Sequence, residues 1–390
     1  MTFSGFELTR EMKMLQETIL EFIDEEVVPV ETALPGDARE IPEDELMKLQ
    51  RKAKAAGLWN LPVPAEFGGG GLDTFEMVIA AEAGSQNRFG MPELAGGAFG
   101  HQVPVVLYNA RPEQIQTYLI PSVENGWRWF TAITEPSGGS DPARSIRTKA
   151  ERVGDEWVLN GTKLFSTGAD ESEYGVVYAR TGEGRNGISA FVVPANTPGM
   201  SVRPVPVLRD HWTTEIHFED CRIPYENLLG EVGQGFQLAQ KWLVRGRVVM
   251  AAQVVGIAQR ALQMAIEYSK LRSTFGAQLS SRQSIQWMIA DSAVDIQAAR
   301  WLTWEAAYKD VQGQDARYEA SVAKLFATEK AFTVLDRVMQ IHGGMGVAKE
   351  YNIEHWFRSL RVSRIVEGPS EVHRHLISRD LLSDRRKLQS

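Results

Sequence analysis

Residues 11–56 place Leu15, Ile19, Phe22, Ile23, Leu46 and Leu49 at helical spacing among charged neighbours, which predicts surface helices with one buried face. Residues 58–72 (LWNLPVPAEFGGGGL) are dense in Pro and Gly and are expected to form a loop. A helix should resume over 74–83 and another over 98–108, and a short one over 112–119 is entered through Pro112 at its first position. The chain up to residue 126 therefore reads as an N-terminal α-helical domain.

From Trp127 the period changes. Residues 148–153 and 156–159 alternate about Gly154-Asp155, a hairpin signal, and Asn160-Gly161 is expected to turn the chain again before a strand at 163–166. Short strands are expected at 175–179, 189–193 and 215–218, so residues 127–235 read as a small antiparallel β-domain. No strand and helix flank a Gly-rich phosphate fingerprint, which argues against a Rossmann cofactor site. After Gly230-Glu231-Val232-Gly233-Gln234-Gly235 the helical period returns. Ile285, Met288, Ile289, Ser292, Ile296 and Ala299 share one face, and Val322, Leu325, Phe326, Phe332, Leu335 and Val338 continue it. Residues 236–390 are thus expected to form a C-terminal four-helix bundle, the stripes being core.

Composition narrows the function classes. A length of 390 residues exceeds what one core usually organises. The net charge of −8, with no concentrated run of Lys and Arg, argues against nucleic acid as a partner. The one cysteine, Cys221, excludes an internal disulfide and a cysteine-rich metal site, and no metal is expected; a reducing, cytosol-like compartment fits, bacterial cytosol above others. The N-terminal stretch MTFSGFELTREMKML has no signal-peptide or transit-peptide character, and apolar runs such as 248–252 are too short to span a membrane.

The candidate chemistry starts from Arg364-Ile365-Val366-Glu367-Gly368-Pro369-Ser370-Glu371, where a carboxylate sits in an apolar run beside a Gly-Pro break. Alone, such a glutamate is an ordinary helix-boundary residue. It gains meaning from the segment 132–141 (AITEPSGGSD), from Asn160-Gly161-Thr162-Lys163-Leu164-Phe165-Ser166-Thr167-Gly168, from Arg222-Ile223-Pro224 with 226–230 (ENLLG), from Arg272 with Thr274-Phe275-Gly276 and Gln283, and from Gln340-Ile341-His342-Gly343-Gly344. In this order and spacing the chain resembles the acyl-CoA dehydrogenase family over nearly its whole length.

The resemblance implies an FAD-dependent α,β-dehydrogenation of an acyl-CoA thioester to the 2-enoyl-CoA. A base removes the α-proton while the β-hydride goes to flavin N5, and the electrons then pass to an electron-transfer flavoprotein. By that resemblance Glu367 is the base, and burial should raise its pKa toward neutrality. The family's alternative position for the base holds Gly246 here. Ile133, Thr134 and Thr167 would face the flavin ring with Phe165 beside it. Arg272, Thr274, Phe275, Gln283, Gln340, Gly343 and Gly344 would hold the adenosine diphosphate part of an FAD shared with a neighbouring subunit, which implies a homotetramer. Ser140, Arg247, Val366 and Gly368 would line the thioester and coenzyme A path. The oxyanion is expected to be met by the Glu367 N–H and a ribityl hydroxyl. His342 is expected to be a packed histidine with no proton to carry.

Several residues depart from the family pattern: Pro369 for threonine, Glu371 for glutamine, Phe165 for tryptophan, Val366 for tyrosine and Arg144 for a small residue. They bear on substrate identity, with branched, cyclic or aromatic acyl groups among the candidates. Two other functions fit the same fold: an oxidase using oxygen, and a silent acyl-CoA- or flavin-binding partner subunit, the latter disfavoured by an intact Glu367.

Overall fold

The computed structural model describes residues 7–209 and 213–386; the first six positions of the N-terminal stretch discussed above lie outside them. The helices in chain order are α1 (Arg10–Phe22), α2 (Val28–Ala33), α3 (Glu43–Ala55), α4 (Thr74–Gly84), α5 (Pro112–Gln114), α6 (Ile120–Asn125), α7 (Pro142–Ser145), α8 (Gly235–Leu271), α9 (Gln283–Val311), α10 (Arg317–His342), α11 (Asn352–Ser363) and α12 (Ser370–Leu382). The strands are β1 (Trp129–Ala132), β2 (Lys149–Val153), β3 (Glu156–Thr167), β4 (Tyr174–Arg180), β5 (Ile188–Pro194), β6 (Met200–Val205), β7 (Thr213–Pro224), β8 (Leu228–Leu229), β9 (Ser273–Thr274) and β10 (Ala277–Gln278). The fold is mainly α with a central β-domain, and it divides into two compact units, one of residues 1–59, 72–99 and 244–390 and one of 60–71 and 100–243.

The larger unit is a helical bundle. Its core draws Val78 and Ile79 from α4, Val248 to Ala265 from α8, Ile296 and Ala299 from α9, and Ala323 to Val338 from α10. Small residues set the spacing. Ala320, Ala323, Ala327 and Ala331 make a buried stripe along α10, and a Cβ at Gly256 of α8 would fall 2.0 Å from the Glu82 carbonyl oxygen of α4. At this level of closeness one added methyl would force the helices apart. α4 begins with a capping box in which Asp73 accepts from the Glu76 N–H and Glu76 returns the bond. α8 is long and apolar enough to cross a membrane by length and composition, but 61% of its most apolar window is buried inside the protein, as expected of a core helix.

The smaller unit is an eight-stranded sheet in the order β6-β7-β3-β2-β4-β5-β8, with β1 added beside β4. Pairing is antiparallel except for β1 with β4 and one β2–β4 residue pair. The core sits under Trp157, Phe191, Phe218 and Cys221. The hairpin about Gly154-Asp155 forms with Val153 opposite Glu156. Two local expectations fail. Asn160-Gly161 does not turn the chain: β3 runs through it with a register shift between Leu159 and Gly161. Gly161 has φ +147°, and a Cβ there would lie 2.6 Å from Thr148 Oγ1, so glycine serves a bulge. Residues 98–108 hold only a single 3-10 turn at Val105–Leu107, because Gly100 at φ +92° and Pro104 interrupt the helical path.

Candidate active site

In the smaller unit, four of the expected residues gather around a buried ion pair. Lys163 of β3 has no exposed surface, and its ammonium lies 2.8 Å from Glu135 Oε1 and 3.2 Å from the Ile133 carbonyl. Glu135 also accepts from the Arg147 N–H at 2.7 Å and the Thr148 N–H at 2.9 Å. The Leu164 N–H donates to the Thr134 carbonyl at 2.8 Å. These bonds tie the Ile133–Glu135 segment to β3, beside Phe165 and Thr167. Burial alone would raise Glu135, but the charge and hydrogen bond of Lys163 and the Thr148 contacts outweigh it, and the net pull is downward. Lys163 is driven down to about 8 by burial, only partly countered by Glu135.

The same face carries a second arrangement. Arg209 Nη2 donates to Thr167 Oγ1 at 2.8 Å, so the Thr167 hydroxyl hydrogen is left to donate elsewhere. Phe165 keeps 54% of its surface exposed and holds φ +61°. A Cβ at Gly139 would lie 2.9 Å from Thr134 Cγ2 and Oγ1, so only glycine leaves that threonine its place. Ser140 follows in the exposed loop before α7. An exposed aromatic on β3, with Thr167 two residues on and held by Arg209 and the Thr134 segment bonded to the preceding residue, suits the edge and face of a flavin ring.

In the larger unit, the base candidate occupies the turn between α11 and α12. Glu367 has φ +55° and Gly368 φ +93°, two successive left-handed residues before Pro369, the N-cap of α12. A non-glycine residue there costs roughly 1–2 kcal/mol, so the surrounding contacts must hold it. Arg247 Nε of α8 donates to the Glu367 carbonyl at 3.2 Å, and Lys324 Nζ of α10 donates to the Gly368 carbonyl at 2.8 Å. Glu329 of α10 accepts from Ser370 at 2.5 Å and pairs with Arg364 at 2.6 Å, anchoring both sides of the turn. Val366 is half-buried. The turn backbone is also half-buried, but Glu367 Oε2 is enclosed and has no hydrogen-bond partner. Burial raises this carboxyl to about 7, against the opposing charges of Arg247 and Lys324. Arg247, Val366, Glu367 and Gly368 are therefore brought together.

The remaining candidates lie at one end of the bundle. Arg272, Thr274 and Phe275 form the β9–β10 hairpin, with Phe275 fully exposed at φ +48°, and Gln283 opens α9 on the surface. Gln340, Gly343 and Gly344 are exposed at the end of α10. Stacking of His342 on Tyr268, with ring centroids 4.5 Å apart, brings that helix end to the end of α8 just before Arg272. His342 also bonds the Val338 carbonyl at 2.8 Å and is buried, a packed histidine. Exposed guanidinium and amide donors with an open aromatic suit the pyrophosphate and adenine of a dinucleotide. Among the described residues no group of His, Cys, Asp and Glu could hold a metal ion.

Lys324, His373, Glu135 and Arg209 join these groups without having been singled out in the sequence. Lys324 and His373 are buried on α10 and α12 outside the apolar stripe read from the sequence, and a buried charge leaves no mark on periodicity. Glu135 lies within the 132–141 segment, between Thr134 and Ser140.

Three family descriptions match the chain in succession: acyl-CoA dehydrogenase N-terminal domain over residues 9–125, middle domain over 131–221 and C-terminal domain over 233–382. The chain is 37% identical to a probable acyl-CoA dehydrogenase, YngJ, of Bacillus subtilis over 97% of its length and all of that protein. It is 36% identical to the mitochondrial short-chain specific acyl-CoA dehydrogenase of Rattus norvegicus, over 97% of this chain and 92% of the relative. Among solved structures, butyryl-CoA dehydrogenase from Megasphaera elsdenii superposes with a TM-score of 0.87 at 30% identity, covering 97% of this chain and 100% of that one.

Proposed function

The chain belongs to the acyl-CoA dehydrogenase family, and from that premise we propose that it oxidises an acyl-CoA thioester to the 2-enoyl-CoA with Glu367 as the base. The observation that carries this reading is the Glu367 carboxyl: enclosed, unpartnered at Oε2 and raised to about 7, so that it accepts a proton readily near neutral pH. The cofactor is FAD, which when bound supplies the acceptor for the β-hydride.

The chain's own residues bind, orient and move one proton. Glu367 takes the α-proton at its carboxylate, and its own backbone N–H is assigned to the thioester oxygen, where one such donor is worth roughly 3 kcal/mol. Thr134 and Thr167 direct their hydroxyls to the flavin, Thr167 being held as a donor by Arg209. Ile133 and Phe165 complete that face. Arg247, Val366, Gly368 and Ser140 serve the thioester and coenzyme A.

Arg272, Thr274, Phe275, Gln283, Gln340, Gly343 and Gly344 hold the adenosine diphosphate part of an FAD shared between subunits of a homotetramer, a reading supported by their exposure at one bundle end. Three domains, 1–126, 127–235 and 236–390, carry these roles. Electrons leave to an electron-transfer flavoprotein in a cytosol-like compartment, the latter supported by a single, buried thiol. Short straight acyl chains head the list of substrates because the rat and Megasphaera relatives are named for them. Anaerobic mixing of the flavin-loaded protein with a panel of acyl-CoA thioesters tests the reading: some thioester should bleach the visible flavin band, and a yellow protein that no thioester bleaches would refute it.

A further inference from the structure

Lys324 has no exposed surface, and the Glu367 turn is where its ammonium points. Burying an ammonium costs several kcal/mol unless it is well paired, and lysine is seldom fully buried without a partner. The bond that reaches the turn is to a neutral carbonyl, Gly368, at 2.8 Å. A single neutral acceptor compensates poorly for that desolvation, so a nearby negative charge is needed, and Glu367 supplies one. The groups that face Glu367 come from three helices: Arg247 from α8, Lys324 from α10 and His373 from α12. His373 is fully buried, and burial with the charges of Arg247 and Lys324 holds it down to about 3, against weaker upward pulls from the Gly368 and Glu367 backbone, so it adds no positive charge at neutral pH. Glu329 and Glu371 face Lys324 as well, but Glu329 is already bonded to Ser370 and Arg364.

We propose that Lys324 is a positioning residue for the base: its buried ammonium fixes the left-handed Glu367–Gly368 turn and holds Glu367 in its charged, proton-accepting form. This rests on the reading of Glu367 as the base. Two effects follow from one side chain. The bond to Gly368 restrains the strained backbone that aims the carboxyl, and the charge offsets part of the burial that would otherwise leave Glu367 protonated at neutral pH. The coupling is mutual, since Glu367 is the first of the charges that pull Lys324 back up from the value burial alone would impose, leaving it at about 8.

The test separates the two effects. Lys324→Gln keeps a donor for the Gly368 carbonyl and removes the charge, Lys324→Arg keeps the charge, and Lys324→Met removes both. Glu367 is followed by its carboxyl C=O stretch in infrared difference spectra against Glu367→Gln across pH, which requires no turnover. In Lys324→Gln and Lys324→Met the Glu367 midpoint should move up by about one pH unit or more, a tenfold or larger rise in proton affinity, and the acid limb of flavin reduction should move with it. Lys324→Arg should stay within a few tenths of a unit. A wild-type midpoint in Lys324→Gln, with rates lowered evenly at every pH, would reduce Lys324 to packing and overturn the proposal. If Lys324→Met does not fold, Lys324→Gln decides alone. Full turnover by Glu367→Gln would instead sink the base assignment, an outcome the infrared titration does not share.

Discussion

Replacing Lys163 by methionine should destabilise the sheet unit by about 3 kcal/mol or more. The ammonium and the Glu135 carboxylate are both buried, 2.8 Å apart. Removing one partner leaves a buried charge without its counter-ion, which costs roughly 3–5 kcal/mol; Glu135 keeps the N–H groups of Arg147 and Thr148, which places the loss toward the lower end. For a unit of some 150–250 residues that corresponds to a fall in melting temperature of roughly 2–4 °C per kcal/mol, or about 6–12 °C. Lys163 itself titrates at about 8, below its ordinary 10.5. A depressed amine contributes stability that is present above its unfolded value and lost as pH falls through 8, so the charged lysine costs stability at neutral pH. Lys163→Met combined with Glu135→Gln should therefore recover part of the loss, since no buried charge is left unpaired, while the single amide oxygen accepts from only one of the Arg147 and Thr148 N–H groups. Differential scanning calorimetry of the two variants measures this, and a double variant no more stable than the single one would refute the reasoning.

Glu367 reaches about 7 in the folded protein from 4.5, a raised carboxyl. Its contribution is complete below 4.5 and is lost as pH rises through 7, so wild type should lose about 3 kcal/mol between pH 4.5 and 8 that Glu367→Gln keeps, read by urea unfolding at the two pH values. Phe165→Gly should leave apoprotein stability unchanged or slightly higher by relieving φ +61°, and should weaken FAD binding roughly five- to tenfold by loss of an aromatic contact, read by flavin titration. Light scattering of the flavin-loaded protein should give a tetramer, and Phe275→Ser should weaken it together with flavin retention; a flavin-replete monomer would contradict shared FAD sites.

The fold was legible where the period of apolar residues was long. α9 and α10 carry long apolar faces at helical spacing, and the Gly154-Asp155 turn lies between alternating strands, so each formed where expected. It was illegible where one glycine decided the outcome. Asn160-Gly161 has the composition of a turn, yet Gly161 serves a bulge because Thr148 crowds it from the neighbouring strand, a contact visible only in three dimensions. The parallel partner of β4, β1, is short and has no alternation long enough to read. At the candidate site, motif order led to Glu367, Thr134 and Phe165. Three of the seven non-glycine residues with positive φ among those described are Phe165, Phe275 and Glu367, so backbone strain falls on the motif positions. The charges around the base were hidden, because Lys324 and His373 occupy buried helix positions whose type periodicity does not specify.

The central claim is that Glu367 removes the α-proton. Single-turnover reduction of the bound flavin by a thioester that bleaches wild type should slow by three orders of magnitude or more in Glu367→Gln, roughly 4 kcal/mol of barrier, while flavin content and ligand binding hold. Exchange of the substrate α-proton with deuterated solvent should stop in the same variant. Reduction and exchange at wild-type rates in Glu367→Gln would remove Glu367 from the chemistry and with it the account given for this turn.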